Sequence, residues 1–226
     1  MNRRLSAIMR LIDSQVGVID VGTDHGYIPV ALAQQGFGGK LYASDIHEAP
    51  LNTARKTAAD AGVSDRISFQ RCDGLTMCPP EEVDCIVIAG MGGDMIVKIL
   101  DEAEWCMQRR YQLVLQPMTK AEVVRYWLAY NEFTIEKECL VEDAGTLYQV
   151  IVARFGGQTI LSDAELFIGK QTLHEDKDLF ARFLNQTAGR FEKMLEGMST
   201  GDGSPDGREH LYRAILKELY EMREKS

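Results

Sequence analysis

Val18-Ile19-Asp20-Val21-Gly22-Thr23-Asp24-His25-Gly26-Tyr27 decides the fold. An apolar run beginning at Val16 closes on the acidic Asp20, a glycine-bearing turn follows, and helix-forming sequence continues from Ile28 to Gln35. That order is strand, tight loop, helix. In an open α/β sheet this junction lies at the carboxyl end of the first strand, where ligands bind. Gly22 and Gly26 let a ligand approach the backbone with no Cβ in the way. The alternative is an ordinary turn that happens to hold two glycines.

The loop is not the dinucleotide fingerprint, which needs G-x-G-x-x-G with its middle glycine against a pyrophosphate. Asp24 stands where that glycine would be, and a carboxylate there repels a pyrophosphate. A ligand with a cationic centre and hydroxyl or amino donors suits the loop better. S-adenosylmethionine has a sulfonium, an ammonium and a ribose diol.

The 226 residues suit one domain of moderate size plus an appendage. The net charge of −9 argues against loose, nonspecific binding to nucleic acid but leaves room for a local basic patch. Five cysteines, an odd number with no C-x-x-C pair, argue against a disulfide framework or a zinc site, so no metal is expected. No apolar run approaches the ~20 residues of a membrane span. The start of the chain has no signal-peptide block, so no membrane partner and a cytoplasmic location are expected.

Leu5, Ile8, Met9 and Ile12 repeat at helical spacing before the first strand. Arg3, Arg4 and Arg10 fall off that stripe, either as a solvated face or as a contact for a polyanion. Strands are expected at Gly17–Val21, Lys40–Asp45, 66–70, 83–89 and 112–116, with helices between them. Asp45 ends the second strand about 20 residues after the first loop, the place of a ribose-binding carboxylate. It could alternatively cap the next helix. Asp73, after the third strand, either makes a turn with Gly74 or accepts from an adenine amino group. The fourth strand opens into Gly90-Met91-Gly92-Gly93-Asp94, where bare backbone at the sheet edge suits a ligand-lining role. Phe133–Val141 and Thr146–Phe155 read as a hairpin, which gives a mixed sheet with an antiparallel edge strand.

After Gly156-Gly157 the strand signals stop. Ser162-Asp163-Ala164-Glu165 is a capping box. Phe180, Leu184, Thr187, Phe191, Met194 and Met198 keep a spacing of three or four, and Leu211, Ile215, Leu219 and Met222 resume it beyond a loop at Gly201–Gly207. Two such helices make an antiparallel, coiled-coil-like hairpin. The expected domains are 1–157 and 158–226.

Carboxylates after the first three of five parallel strands, with a terminal hairpin, resemble the seven-stranded, Rossmann-like S-adenosylmethionine-dependent methyltransferases. Asp20-Val21-Gly22-Thr23-Asp24-His25-Gly26-Tyr27-Ile28-Pro29, Ala89-Gly90-Met91-Gly92-Gly93 and Leu115-Gln116-Pro117, with the C-terminal helical hairpin, further resemble the bacterial tRNA (adenine-N1)-methyltransferases that modify adenine 22, the TrmK family. The resemblance runs from about Asn2 to the end. It implies that Asp20, Gly22, Asp24 and Gly26 hold the methionine part of the cofactor, Asp45 the ribose and Asp73 the adenine. Gly90 would border the cofactor, and Met91, Gly92, Gly93 and Pro117 the target base. S-adenosylhomocysteine would be the product. The chain lacks the N-P-P-Y motif of enzymes that methylate exocyclic amines, which fits a ring nitrogen as acceptor.

Adenine N1 attacks a methyl through its in-plane lone pair, so alignment supplies much of the rate. A carboxylate near the developing positive charge would help. Asp94 is the first candidate and His25 the second. The alternatives are a helix cap for Asp94 and a loop brace for His25. Arg3, Arg4, Arg10, Arg109 and Arg110 are candidate phosphate contacts, and the helical hairpin is either an RNA clamp or a protein-contact arm. The protein is expected to be a monomer acting on tRNA. Rival readings are a methyltransferase for another RNA or a small molecule, and a cofactor-binding protein without turnover.

Overall fold

The computed structural model describes residues 2–199 and 208–224. The chain divides into two compact units, Met1–Thr159 and Ile160–Ser226. Thr159 belongs to the first because its hydroxyl accepts from the Ile135 N–H (2.8 Å) and donates to the Phe133 carbonyl (3.1 Å).

The first unit is a seven-stranded sheet. Its strands are β1 (Gly17–Val21), β2 (Lys40–Asp45), β3 (Ile67–Arg71), β4 (Cys85–Gly92), β5 (Gln112–Thr119), β6 (Phe133–Asp143) and β7 (Thr146–Phe155). Their order across the sheet is β3-β2-β1-β4-β5-β7-β6. The first five strands pair in parallel; β7 runs antiparallel to both neighbours. The antiparallel strand is therefore interior, and β6 forms the edge, unlike the antiparallel edge expected from sequence. A hairpin following a parallel strand can lay its second arm against that strand and carry its first arm outward.

All five residues of β1 are buried, as are Cys85–Ile88 of β4, because helices cover both faces at the centre of the sheet. The helices of this unit are α1 (Arg3–Leu11), α2 (Tyr27–Gln34), α3 (Glu48–Asp60), α4 (Gly93–Asp101) and α5 (Ala121–Tyr130). Helix α1 begins at Asn2, whose side chain accepts from the Leu5 N–H (2.9 Å). Its Ile8 and Met9 enter the cluster that contains Val18, Cys85, Val87, Val114 and Val150. This burial seats α1 against the sheet.

The glycine run is not the free loop that its composition suggests. β4 continues through Gly90, Met91 and Gly92, with register shifts against β5 between Ala89 and Met91 and again between Met91 and Gly92. Gly90 takes a left-handed φ of 84° there. Such bulges bend a strand end and re-aim its side chains.

The second unit holds α6 (Asp163–Ile168), α7 (Lys177–Ser199) and α8 (Arg208–Glu224). Ser162 and Glu165 form the full capping box at the start of α6. Helices α7 and α8 make the helical hairpin. Phe180, Leu184, Thr187, Ala188, Phe191 and Leu195 of α7 are buried, as are Ile215 and Leu219 of α8, while Met194 and Leu211 are exposed. The expected stripe thus drifts by one residue along α7, as a 3.6-residue helix must over six turns. The expected loop at 201–207 lies outside the described residues. No described helix is long and apolar enough to cross a membrane.

Candidate active site

The carboxyl ends of β1, β2, β4 and β5 meet at one rim. Asp20 is buried in β1, and Thr23 donates its hydroxyl to Asp20 Oδ2 (2.6 Å). Burial pushes the Asp20 carboxyl up to about 7; the Thr23 hydrogen bond opposes the rise and the charge of Asp45 adds to it. Among the described residues, no cation pairs with this buried acid.

The loop after β1 is tied to β2, since the N–H groups of Gly22 and Thr23 both donate to the Ser44 carbonyl (2.8 and 3.0 Å). Gly22 has φ 69°, and the point where its Cβ would lie is 2.1 Å from Cε of Met91. The first loop and the glycine run are therefore in contact. Gly26 has φ 70° and precedes α2; a Cβ there would meet Ala54 Cβ at 2.9 Å, so this glycine also lets α3 pack close. Asp24, with φ 49°, is exposed, and its carboxylate lies 3.4 Å from His25 Nε2. The His25 ring stacks on Tyr27 (5.2 Å, 13°) in the loop-bracing arrangement.

Asp45 does not cap α3. The N-cap is His47, with no side-chain bond, and Asp45 Oδ1 accepts from the His47 N–H (2.8 Å) in a local turn. Its Oδ2 has no hydrogen-bond partner among the described residues. Asp73 is exposed, and its carbonyl accepts from Thr76; the Cys72 N–H bonded to the Asp45 carbonyl (3.0 Å) keeps the two acidic turns adjacent.

The glycines after Ala89 divide by role. Gly90 is exposed, and a Cβ there would lie 3.4 Å from Arg4 Nη1. A Cβ on Gly92 would meet Thr119 Oγ1 at 3.3 Å. Gly93 is buried, and its Cβ would fall 2.1 Å from the Lys120 carbonyl oxygen. Close packing of α4 against the β5–α5 turn therefore accounts for a glycine at position 93. Pro117 is likewise buried within β5, so its ring does not line the open rim; its carbonyl accepts from Gln116 Nε2 (2.9 Å).

Asp94 sits in the first turn of α4, after the N-cap Gly92, and pairs with Lys120. The hydrogen bond that the Lys120 ammonium donates to that carboxylate pushes its pKa up. Asp94 is thus neither the cap nor an unpaired base.

The three N-terminal arginines separate. Arg3 and Arg10 are exposed, whereas Arg4 turns inward. Its Nη1 donates to Gln116 Oε1, and its guanidinium lies over the Tyr148 ring (5.5 Å). Gln116, which the sequence offered only as part of Leu115-Gln116-Pro117 with no role of its own, and Tyr148, which it did not single out, are site neighbours. The available signal was a buried amide closing the apolar run Leu113–Leu115. Arg109 remains unassigned, while Arg110 is held by Glu81 and the carbonyls of Pro80 and Val83.

Comparison with known proteins was consistent with this geometry. Residues 1–151 match the methyltransferase domain family. The chain is 26% identical over 216 residues to the tRNA (adenine(22)-N(1))-methyltransferase of Bacillus subtilis, covering 93% of this chain and 91% of that one. The crystal structure of the B. subtilis m1A22 tRNA methyltransferase TrmK superposes with a TM-score of 0.79 at 26% identity, over 99% of this chain and 96% of that one. Streptococcus pneumoniae Sp1610 in complex with S-adenosyl-L-methionine gives 0.82 at 26% identity, over 97% and 98%. With a methyltransferase sheet at its centre and a helical unit that aligns with the same relatives, the chain belongs to the methyltransferase domain family and is similar from end to end to its TrmK members.

Proposed function

We infer that the protein transfers a methyl group from S-adenosylmethionine to N1 of an adenine in tRNA, at position 22. The observation that carries this reading is the extent of the likeness. The methyltransferase domain match ends at residue 151, whereas the likeness to the B. subtilis tRNA enzyme spans 93% of the chain. Methyl transfer is thus assigned to residues 1–159, and tRNA recognition draws on the helical unit, residues 160–226.

The rim fits the cofactor. A buried carboxyl without a cation partner suits an ammonium or sulfonium, the open Asp45 oxygen suits a ribose hydroxyl, and Gly22 leaves backbone bare beside them. When bound, the cofactor supplies an electrophilic methyl on sulfur. The protein's own contribution is alignment. Asp20 orients the cationic end, Asp45 and Asp73 the nucleoside, and Gly90 with Met91 shapes the opening through which the base approaches. Gly22, Asp24 and Gly26 shape the loop around the methionine part. Adenine N1 needs no proton removed before it attacks, so orientation and exclusion of water carry most of the rate. Asp94 and His25 remain candidates for stabilising the charge that develops on the ring. Arg3 and Arg10 are candidate phosphate contacts on the exposed side of α1. On this reading the protein acts as a monomer in the cytoplasm.

The test is transfer of a labelled methyl group to unmodified tRNA, followed by nucleoside analysis. The expected product is 1-methyladenosine, lost when position 22 is not adenine. Label in another nucleoside, or none in tRNA at all, would overturn the reading.

A further inference from the structure

Arg4 is the one arginine of α1 that points into the rim, and its surroundings are unusual for a cation. Its partners are the amide oxygen of Gln116, the Met118 sulfur at 4.0 Å and the face of Tyr148. All three are neutral. By contrast, Arg55, Arg110 and Arg154 of the same unit each pair with a carboxylate. Among the described residues, no carboxylate lies within 4.0 Å of Arg4.

Gln116 is fully buried and its amide is fixed at both ends, by Arg4 at Oε1 and by the Pro117 carbonyl at Nε2. It holds the guanidinium in place without neutralising it. One edge of the fork is thus occupied, and Nε and Nη2 have no partner among the described residues. Beside the guanidinium, Gly90 withholds a side chain, and its neighbour Met91 reaches Gly22 of the first loop. Arg4 therefore sits at the junction of the cofactor loop and the base opening. Elsewhere the rim is acidic, with Asp20, Asp24, Asp45 and Asp73. An anionic group entering there would be repelled unless one cation receives it.

We propose that Arg4, held by the neutral Gln116–Tyr148 perch, is the oxyanion receptor of the site. A guanidinium fork matches the two oxygens of a carboxylate or a phosphate, and such charge-assisted pairs are the strong ones. The proposal rests on the methyltransferase reading. It names two sources of the same chemistry, the carboxylate at the amino-acid end of the cofactor and a phosphate flanking the target nucleotide. Gln116 is a positioning residue, acting through Arg4.

The test uses the full chain with Arg4→Met, Arg4→Lys and Gln116→Glu. Dissociation constants are measured for S-adenosylhomocysteine by calorimetry and for unmodified tRNA by filter binding across a salt series, with thermal unfolding as the fold control. Arg4→Met is expected to weaken one ligand by about tenfold or more, and Arg4→Lys to rescue only part, because a point charge lacks the fork. Gln116→Glu keeps Arg4 anchored but cancels its charge, so it should weaken that same ligand. Loss confined to S-adenosylhomocysteine identifies the carboxylate. Loss confined to tRNA, with the log–log salt slope falling by roughly 0.7–0.9, identifies a phosphate. Arg4→Met leaving both ligands within about threefold of wild type, less than one charge-assisted bond contributes, overturns the proposal. So does wild-type binding by a well-folded Gln116→Glu, which would make Arg4 only an anchor for α1. If the wild type itself fails to bind S-adenosylhomocysteine, the methyltransferase reading falls, and the receptor is then judged on the tRNA arm alone.

Discussion

The terminal methyl of Met91 lies 2.1 Å from the point that a Cβ on Gly22 would occupy, so the first loop and the bulged end of β4 interlock across the rim. The two glycine-bearing motifs form one surface.

Gly22 and Gly93 should respond differently to alanine. At Gly22 the obstacle is the flexible tip of Met91 together with φ 69°. Gly22→Ala should cost about 1–2 kcal/mol of stability through the left-handed conformation, and cofactor affinity should fall as Met91 is displaced. Gly93→Ala meets a backbone oxygen that cannot swing away, and should cost about 3 kcal/mol or more. Denaturant unfolding of both variants, with titration by S-adenosylhomocysteine, checks the order. Equal stability losses would contradict the assignment of Gly93 to packing.

Asp20 should make both stability and cofactor binding depend on pH. Its carboxyl is raised by burial from 3.8 to about 7 in the fold. Between those values the folded protein binds more protons than the unfolded chain, so stability of the free protein falls as pH rises through this window and levels off above 7. The full effect is on the order of 4 kcal/mol. Asp20→Asn should flatten the profile and stabilise the free protein at pH 8, a change read by thermal unfolding across pH. A cationic ligand prefers the ionised acid, so wild-type affinity should drop below pH 7 and binding there should release a proton. Calorimetry in buffers of different ionisation enthalpy would detect that proton, and its absence would take Asp20 out of contact with the cation.

Arg125 and Glu138 form a pair that is almost wholly buried, with Arg125 Nε donating to Glu138 Oε1 (2.7 Å) and Arg125 Nη2 to Gln149 (2.7 Å). They pin α5 to the β6–β7 hairpin. Arg125→Met alone takes the guanidinium away from a buried carboxylate and should cost about 3–5 kcal/mol. Arg125→Met with Glu138→Leu should recover much of that loss. Urea titration of the single and double variants measures the difference; a double variant as unstable as the single would mean the pair is not acting through charge.

Truncation after Thr159 should leave a folded unit, because Thr159 closes its own hydrogen bonds within the sheet domain. The truncated protein is expected to bind S-adenosylhomocysteine as the full chain does and to methylate tRNA poorly. Full activity on tRNA would remove residues 160–226 from substrate recognition.

Much of this was legible in the sequence because local patterns decided it. Gly17–Val21, Lys40–Asp45 and Thr146–Phe155 stand at their expected bounds, since apolar runs and punctuating glycines need no distant partner. What depended on such partners was not legible. Arg4 falls off the apolar stripe of α1 and reads as either a solvated face or a polyanion contact, yet its acceptor is Gln116, 112 residues away. Gly93 reads as a ligand-lining glycine until the Lys120 carbonyl is placed against it, and Asp94 reads as a free carboxylate until Lys120 is beside it. The position of β7 inside the sheet follows from which arm of the hairpin docks, and strand-forming sequence is the same for either.

That placement of β7 sets an order of events during synthesis. A ribosome delivers α1 first and β7 last among the elements of this unit. Strand β6 has no neighbour in the sheet except β7, so it must wait, and β5 keeps a raw edge until residues up to Phe155 have emerged. The wait extends back to the start of the chain, because Tyr148, under the guanidinium of Arg4, lies on β7. The nascent N-terminal helix therefore reaches its final seat only when the hairpin arrives, and the rim is completed by the first and last elements of the sheet domain closing on each other.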